Sequence, residues 1–294
     1  MSNRNCKKSH RWWQDSFMTT NAPALALTIA GSEATGGAGA QADLKTFQEL
    51  NVFGIVNLTC IVSFDPNDNW NHRFVPVDQQ TIADQLEATT ASYGPASGAP
   101  SVLETVKIGM MGSPATISTV EAALKATSFK NVVLDPVLIC KGQEPGHALD
   151  TDQALKAQIL PLATFVTPNH FEAESLSGIT INNIEDLKAA ARKIHEISGA
   201  AVLAKGGVRI AGADAVDVFF DGETLEVLTA PKVGEVAVSG AGCSLAAAIT
   251  AELAKGATPL EAARTAKAFV TEGIKHRVTS GAPFTALWQG GARG

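Results

Sequence analysis

The chain has 294 residues, a net charge of −6, 45% hydrophobic residues and 18% charged residues. This composition is typical of a globular protein with a well-filled core. The acidic balance argues against a nucleic-acid-binding surface, which needs a clustered basic face. No apolar run approaches the ~20 residues that cross a bilayer. Small phosphate-bearing ligands stay possible, because backbone amides can bind them without many lysines.

The N-terminus and the cysteines indicate where the protein resides. The first 17 residues are polar, contain two tryptophans and lack the apolar centre of a signal peptide. Cys6, Cys60, Cys140 and Cys243 are widely spaced, with no C-x-x-C pair and no metal-ligand spacing. We therefore expect a reduced, cytoplasmic protein. Residues 1–17 are predicted to form a disordered extension, and residues 18–294 a single domain.

Short apolar runs alternate with helical patterns along most of the chain. A buried strand at 25–30 precedes a small-residue loop and a helix at 41–50, which has Leu44, Phe47 and Leu50 on one face. The alternation predicts an α/β fold with a mostly parallel sheet covered by helices on both faces. Further strands are predicted at 55–62, 102–108, 131–134, 164–166 and 201–204, and helices at 78–91, 114–126, 150–160, 169–177 and 184–197.

The pattern changes near residue 215. Strand-like runs at 215–220 and 224–229 flank Asp221-Gly222, a typical hairpin turn. Two Ala-rich helices follow at about 241–255 and 258–275, the second with Thr258 as its N-cap and Pro259 at its first position. No internal repeat or linker marks a boundary, so one domain is predicted.

A glycine turn stands at the start of the first Ala-rich helix. It consists of Gly240, Ala241, Gly242 and Cys243. Free N–H groups at a helix N-terminus, backed by the helix dipole, bind phosphate or stabilise a developing anion. The same field favours the thiolate form of the cysteine. Taken alone, these residues fit a plain turn with a small buried thiol equally well.

Other polar residues follow predicted strands at the edge where open α/β sheets bind ligands. Asp135 and Glu172 are candidate Mg²⁺ ligands, because this ion prefers few carboxylates together with water and phosphate oxygens. Lys205 precedes two glycines and is a candidate phosphate-facing cation. Each residue also has a purely structural interpretation. Glu172 fits a first-turn carboxylate that the helix dipole favours, and Lys205 fits a solvated side chain at the end of a strand.

Two common nucleotide-binding motifs are missing. The chain has no G-x-x-x-x-G-K-[ST] loop, and the glycines at 36–39 lack G-x-G-x-x-G spacing. A P-loop kinase and a Rossmann dehydrogenase are therefore disfavoured.

Cys140 lies in a loop at 138–147 that is long enough to form a lid, although an ordinary surface loop has the same composition. Cys60 lies in an apolar run and is interpreted as core packing.

From about residue 24 to 278 the chain resembles the ribokinase superfamily, in the branch that contains hydroxymethylpyrimidine (phosphate) kinases and the pyridoxal kinases similar to them. The matching motifs are LTIAGS at 27–32, GAGAQADLKTF at 37–47, KIGMM at 107–111, DPV at 135–137, TPN at 167–169 followed by Glu172, KGG at 205–207 and GAGC at 240–243. The resemblance implies a three-layer ribokinase-like fold. It also implies ATP- and Mg²⁺-dependent phosphorylation of a hydroxymethyl group on a small heterocycle, and a homodimer.

The branch is indicated by the segment after the second strand. Pyrimidine kinases of the family usually carry a glutamine where this chain has Phe64, and the runs at 61–72 and 139–142 resemble those of the pyridoxal kinases. An aromatic face suits stacking on a pyridine ring. Pyridoxal, pyridoxine and pyridoxamine are the favoured substrates; hydroxymethylpyrimidine (phosphate), a thiamine precursor, or dual activity are the alternatives. Two residues depart from the family pattern. Glu33 stands where these enzymes usually have aspartate, and Ser239 stands where they usually have threonine or histidine.

The resemblance also implies roles for individual residues. Cys243 stands where most superfamily members have an aspartate base, so we expect a thiol of lowered pKa in that role. Cys140 is expected to add reversibly to the aldehyde of pyridoxal. The amides of Gly240, Ala241, Gly242 and Cys243 would stabilise the transferred phosphoryl group. The substrate would contact Gly31, Ser32, Asp43 and Phe64; the nucleotide would contact Asn169, Ala204, Lys205, Gly206, Gly207, Val208 and Gly242; Asp135 and Glu172 would hold Mg²⁺.

Two other kinds of protein share part of this pattern. A non-catalytic relative that senses a vitamin B6 or pyrimidine compound would lose the anion hole or the metal carboxylates, and this chain keeps both. A sugar or nucleoside kinase of the superfamily would carry the aspartate base and a larger lid sheet than residues 52–76 allow. Both are disfavoured.

Overall fold

The computed structural model describes residues 22–99, 101–138 and 145–293. Within these ranges a single sheet forms the centre. Its strands are β1 (Ala24–Glu33), β2 (Val52–Asp65), β3 (Asn71–Pro76), β4 (Thr105–Ile108), β5 (Asn131–Leu134), β6 (Phe165–Val166), β7 (Ala201–Gly207), β8 (Asp214–Phe220) and β9 (Leu225–Pro231). Their spatial order is β3-β2-β1-β4-β5-β6-β7-β8-β9. β1, β2 and β4 to β7 run parallel, whereas β3, β8 and β9 pair antiparallel with their neighbours.

Helices connect the parallel strands. They are α1 (Gly39–Glu49), α2 (Gln79–Tyr93), α3 (Pro114–Thr127), α4 (Pro145–Ala154), α5 (His170–Ser177), α6 (Ile184–Ser198), α7 (Ala241–Ala254) and α8 (Pro259–Lys275). α4 continues into a π-helical turn (Leu155–Ile159) and a 3-10 turn (Leu160–Leu162), and a last 3-10 turn spans Gln289–Arg293. No helix among the described residues is both long and apolar enough to span a membrane.

The sheet has an apolar core on each face. Successive strand side chains point to opposite faces, so Leu25 and Leu27 enter the core beneath α2, α3, α5 and α6, while Ala26 packs against α1 and α7. In β5, Leu134 joins the first core and Val133 joins the core formed with α7 and α8. This arrangement confirms the predicted three-layer α/β fold.

Helix starts follow local sequence signals. Thr258 accepts the N–H of Glu261 while Glu261 accepts the N–H of Thr258, which is a capping box, and Pro259 occupies the first turn of α8. Asn169 and Glu172 form the same motif at the start of α5. These contacts confirm the predicted N-terminus of α8. The capping box of α5 also explains why the side chain of Glu172 turns back toward Asn169 at the sheet edge.

The hairpin of β2 and β3 was not predicted. β3 is short and half-exposed, and it ends in a proline, so its sequence lacks the apolar alternation of a buried strand. Its pairing extends β2 to Asp65, beyond the predicted end at residue 62. The hairpin places Phe64, His72 and Phe74 on one face and Ile61 and Val75 on the other. The predicted extension at 1–17, with Cys6, lies outside the described residues, as does Cys140.

Candidate active site

The N-termini of α1 and α7 meet beyond the carboxyl end of β1. Gly240, the N-cap of α7, has φ +76°, and a Cβ atom there would lie 1.8 Å from the carbonyl oxygen of Gly37. Gly39 begins α1 with φ +58°, and its Cβ would lie 2.3 Å from the carbonyl oxygen of Gly31. Only glycine allows both conformation and contact at these positions. The glycine turn is therefore a close backbone junction between two helices.

The free donors of this turn differ slightly from those expected. The N–H of Ala241 donates to the carbonyl of Val238 at 3.3 Å, and the N–H of Ser244 starts the helical ladder by donating to Gly240 at 2.8 Å. The N–H groups of Gly242 and Cys243 have no acceptor among the described residues. Unpaired N–H groups at a helix N-terminus form an anion site. In this turn the N–H groups of Gly242 and Cys243 are therefore open to such an anion, whereas the N–H of Ala241 is already paired.

Cys243 is half-buried at this junction. Burial raises the pKa of its thiol to about 11; the charge of Lys107 lowers it, the carboxylates of Asp135 and Asp43 raise it, and a hydrogen bond from the N–H of Gly39 lowers it slightly. The expectation of a lowered pKa is therefore wrong for the protein without ligand. The helix field is outweighed by desolvation and by two neighbouring negative charges.

A buried ion pair lies beneath the junction. Asp43 of α1 is completely buried, and its Oδ2 accepts the hydroxyl of Thr28 at 2.6 Å and the ammonium of Lys107 at 2.8 Å. Burial raises the pKa of Asp43 in spite of these two partners. Burial lowers the pKa of Lys107, but Asp43, Cys243 and Asp135 raise it by more, so the pKa lies above its ordinary value. This geometry corrects our expectation that Asp43 contacts the substrate ring, since no part of its side chain reaches the surface.

A second charged group lies beside the glycine turn. Lys205 Nζ is 3.3 Å from Asp135 Oδ1, and a Cβ on Gly242 would lie 3.4 Å from the same Nζ. Glu172 is buried next to this pair and accepts the N–H of Asn169 at 2.7 Å. Burial raises the pKa of Glu172 to about 7, with Lys205 and the N–H of Asn169 lowering it and Asp135 raising it. Burial opposes the charge of Lys205, but Asp135 and Glu172 raise its pKa.

The donor set of Asp135 and Glu172 fits Mg²⁺. Both carboxylates are buried, and Asp135 electrostatically disfavours the charged form of Glu172, so a cation placed between them would relieve a repulsion that Lys205 relieves only in part. Mg²⁺ commonly takes one or two carboxylates and completes its shell with water and phosphate oxygens. Among the described residues, no group of three or more His, Cys, Asp and Glu side chains is placed to hold a metal ion.

A cavity of about 220 Å³ opens beside Lys205 and Gly242. Gly207 and Val208 line it, as do apolar side chains of the loop after β9 and of α8. The other predicted nucleotide residues serve the scaffold: Ala204 is buried in the core, and a Cβ on Gly206 would lie 2.5 Å from the carbonyl oxygen of Val216. The structure therefore does not bring Ala204 and Gly206 to the cavity.

The predicted substrate residues lie on the other side of the glycine turn. Ser32 Oγ accepts Gln41 Nε2 at 2.7 Å, and Gly31 gives space to Cys60, whose Sγ would lie 2.5 Å from a Cβ there. Glu33 binds the N–H groups of Thr35, Gly37 and Ala38 at 2.7, 2.9 and 3.1 Å. Glu33 thus organises the loop before α1, a role that sequence reasoning missed.

Phe64 belongs to an aromatic cluster on the β2–β3 hairpin. Its ring centroid lies 4.8 Å from His72 and 5.0 Å from Phe284. Trp70 lies 6.5 Å from Phe64 and 5.9 Å from Phe284. The contribution of Phe284 was not foreseen, because it lies in a segment where no strand or helix was predicted.

The fold and this edge define the class: a three-layer α/β protein with a helix junction that has two unpaired N–H groups, a lysine and two buried carboxylates at the end of a parallel sheet. The phosphomethylpyrimidine kinase family model matches residues 33–287, and the chain belongs to that family. The prediction of a ribokinase-superfamily member from this branch is thereby confirmed.

The chain is similar to two kinds of kinase in this family. It is 46% identical to a pyridoxine kinase of Bacillus subtilis over 255 aligned residues. The alignment covers 85% of this chain and 90% of that protein. A hydroxymethylpyrimidine/phosphomethylpyrimidine kinase of the same organism is 36% identical over 259 residues, or 87% of this chain and 91% of that protein. A structure of the Staphylococcus aureus pyridoxal kinase with AMP-PCP and pyridoxal has a TM-score of 0.83 at 37% identity, covering 92% of this chain and 95% of the other.

Gly240→Ala tests the helix junction. We expect it to lower the free energy of unfolding by about 2–4 kcal/mol, because a Cβ there meets the carbonyl of Gly37 in addition to the cost of positive φ. Gly256→Ala is the matched control: Gly256 also has positive φ, +94°, but open space at the Cβ position. Urea unfolding measures both. Equal losses of unfolding free energy in the two variants would show that the Cβ at position 240 meets no close contact.

Lys107→Met tests the buried ion pair. The unpaired carboxylate of Asp43 would then cost about 3–5 kcal/mol in urea unfolding. Because Asp43→Asn removes that charge, the double variant should be more stable than Lys107→Met alone. A double variant that loses the sum of both single losses would contradict an energetic link between the two side chains.

Proposed function

We propose that this chain is an ATP- and Mg²⁺-dependent kinase that phosphorylates the hydroxymethyl group of pyridoxal, pyridoxine or pyridoxamine, in vitamin B6 salvage. One observation carries the proposal: the free N–H groups of Gly242 and Cys243 stand beside Lys205 at the mouth of a cavity. A phosphate chain placed there meets donors and a cation together. The similarity to pyridoxine and pyridoxal kinases supports the choice of acceptor.

The nucleotide would occupy the 220 Å³ cavity. Its apolar wall suits a nucleobase and a ribose, and Gly207 and Val208 would run along the nucleotide. Lys205 would then face the phosphates. Asn169 would lie near them at the start of α5, where its Oδ1 already accepts the N–H of Glu172. The AMP-PCP complex of the Staphylococcus aureus enzyme supports ATP as the donor.

Asp135 and Glu172 would hold Mg²⁺, partly through water. When bound, the ion supplies positive charge that neutralises the phosphate oxygens. Lys205 contacts the carboxylate of Asp135 at 3.3 Å and so holds it in position. Glu172 is held by the N–H of Asn169 at 2.7 Å, which supports a fixed position for its carboxylate.

The transfer step would use the helix junction. The acceptor oxygen loses its proton to the sulfur of Cys243 and forms a bond to the γ-phosphorus, while the bond to the β–γ bridging oxygen breaks and ADP leaves. The N–H groups of Gly242 and Cys243 would stabilise the negative charge on the transferred group. A thiol of pKa about 11 holds its own proton at neutral pH, so only its small thiolate fraction can act as the base.

The acceptor ring would lie between Ser32 and Phe64. An aromatic face at Phe64 favours a pyridine ring, and this residue stands where the pyrimidine kinases usually have glutamine. Hydroxymethylpyrimidine stays the second candidate, because the chain is also similar to a kinase named for that substrate. The covalent role of Cys140, a homodimer and a cytoplasmic location remain predictions; no nucleic-acid or membrane partner is proposed.

A steady-state comparison tests the function. Pyridoxal, pyridoxine, pyridoxamine and hydroxymethylpyrimidine are each supplied with MgATP to one enzyme preparation, and ADP release and phosphorylated product are quantified. We expect the highest kcat/KM for a B6 vitamer, by about tenfold or more over the pyrimidine, since the ring contact at Phe64 acts in the transition state as well as in binding. A higher value for hydroxymethylpyrimidine would overturn the assignment.

The pH profile of kcat/KM tests Cys243 as the base. A base must be deprotonated, and kcat/KM reports the pKa of the free enzyme. With a pKa of about 11, kcat/KM should rise about tenfold per pH unit between pH 7 and 9. Cys243→Asp places a carboxyl group at the same position, whose ordinary pKa lies far below that of a thiol, so its profile should rise much less over this range even though burial and the neighbouring carboxylates raise its pKa.

Two controls accompany the pH profile. Cys243→Ala should lower kcat far more than it raises KM, whereas Cys6→Ala, outside the predicted domain, should keep the wild-type slope. A flat wild-type profile, or unchanged kcat in Cys243→Ala, would remove the base assignment.

A further inference from the structure

The segment after α8 returns to the glycine turn. We call residues 284–289 the C-terminal strap. The N–H of Ser239 donates to the carbonyl of Thr285 at 2.9 Å, and the N–H of Leu287 donates to the carbonyl of Ser239 at 3.0 Å. Both backbone groups of Ser239 are thus held by the strap. Since Ser239 immediately precedes Gly240, the strap fixes the residue from which the turn starts.

The strap is itself anchored on α7 and α8. Leu287 is buried, and a Cβ on Gly273 would lie 2.7 Å from its side chain. Gln289 Nε2 donates to Ser244 Oγ at 3.1 Å in the interior. Val278 and Ala286 exchange backbone hydrogen bonds of 2.8 and 3.0 Å. Buried apolar and hydrogen-bonded contacts of this kind hold a chain segment in one position.

The other end of the strap contacts the hairpin of β2 and β3. Phe284 lies against Phe64 at 5.0 Å and presents an edge-to-face contact to Trp70 at 5.9 Å. Ala286 packs on the loop before α1, since a Cβ on Gly37 would lie 2.9 Å from its methyl group. One strap therefore contacts the aromatic hairpin, the loop before α1 and the glycine turn.

We propose that Phe284 is a positioning residue for phosphoryl transfer: it holds the ring of Phe64 at the substrate site, and the strap connects that ring to the glycine turn. This inference rests on the proposed function, in which Phe64 contacts the acceptor ring. Thr285, which accepts the N–H of Ser239, is the next residue after Phe284. A shift of the aromatic ring therefore reaches the start of the turn through a single residue.

The proposal explains a constraint that the proposed chemistry leaves open. The N–H groups of Gly242 and Cys243 act on a transferred phosphoryl group only if the acceptor hydroxyl is aligned with it. The acceptor is held by the hairpin, and the donors belong to α7. A segment bonded to both elements keeps their spacing fixed, whereas a tail that merely covers the core needs contact with α8 alone.

Phe284→Ala measures this link in kinetics. The variant should lower kcat/KM for the B6 vitamer by about tenfold, including a loss in kcat, while the KM for ATP stays within about twofold of the wild type. Phe284→Tyr keeps the ring and should restore wild-type values. Phe53→Ala is the matched control, because Phe53 pairs with Tyr93 at 6.2 Å near the opposite end of β2.

Amide hydrogen exchange in the protein without ligand gives a second readout. Phe284→Ala should raise exchange both in the hairpin at 61–76 and in the turn at 238–243, and Phe53→Ala should change neither segment. A double variant with Phe64→Ala should show no further loss of kcat/KM beyond Phe64→Ala alone, because Phe284 acts through Phe64.

The outcomes separate the two proposals. If the wild type phosphorylates no B6 vitamer, the proposed function fails, while the exchange experiment still decides the link between hairpin and turn. If exchange in Phe284→Ala rises only within 278–289, or if the KM for ATP rises together with that for the vitamer, the positioning role is overturned even in an active pyridoxal kinase.

Discussion

The contact between Gly240 and Gly37 is the constraint on which the site depends. Two helix N-termini can meet at one point only if their backbones approach closely, and a Cβ at Gly240 would lie 1.8 Å from the carbonyl oxygen of Gly37. At this contact the N–H groups of Gly242 and Cys243 have no acceptor among the described residues. The loops around it serve this junction: Glu33 binds the loop before α1, and the strap binds Ser239. The proposed phosphate site is therefore built from backbone groups, and side chains mainly hold that backbone in place.

The buried charges beneath the junction set the chemistry of the thiol. Lys107 is paired with Asp43, and Lys205 with Asp135, so each lysine is already committed to a carboxylate. Cys243 therefore feels two cations that are largely neutralised, and burial dominates its pKa. An aspartate at this position would add a third buried negative charge to the same space. The thiol avoids that repulsion in the protein without ligand, but only a small fraction of it is thiolate at neutral pH.

Much of this architecture could be read from the sequence, and what escaped has physical reasons. The period-2 and helical patterns predicted the parallel core, and the glycine turn, Asp135, Glu172 and Lys205 do converge at one edge. β3 escaped because a short, exposed edge strand needs no apolar alternation. Asp43 was misjudged because sequence does not reveal whether a polar side chain faces a ligand or a buried partner. Phe284 was missed because its position depends on backbone pairing between residues far apart in the chain, where local patterns carry no signal.

The strap has a consequence for how the protein matures. It follows every strand that the structure describes, so synthesis from the N-terminus delivers the whole sheet before the residues that bind Ser239. A nascent chain can thus complete its core while the start of α7 still lacks its backbone partners. Folding of the sheet and fixation of the start of α7 are therefore separate events in time, and a partly synthesised chain can hold its complete sheet before the glycine turn is fixed.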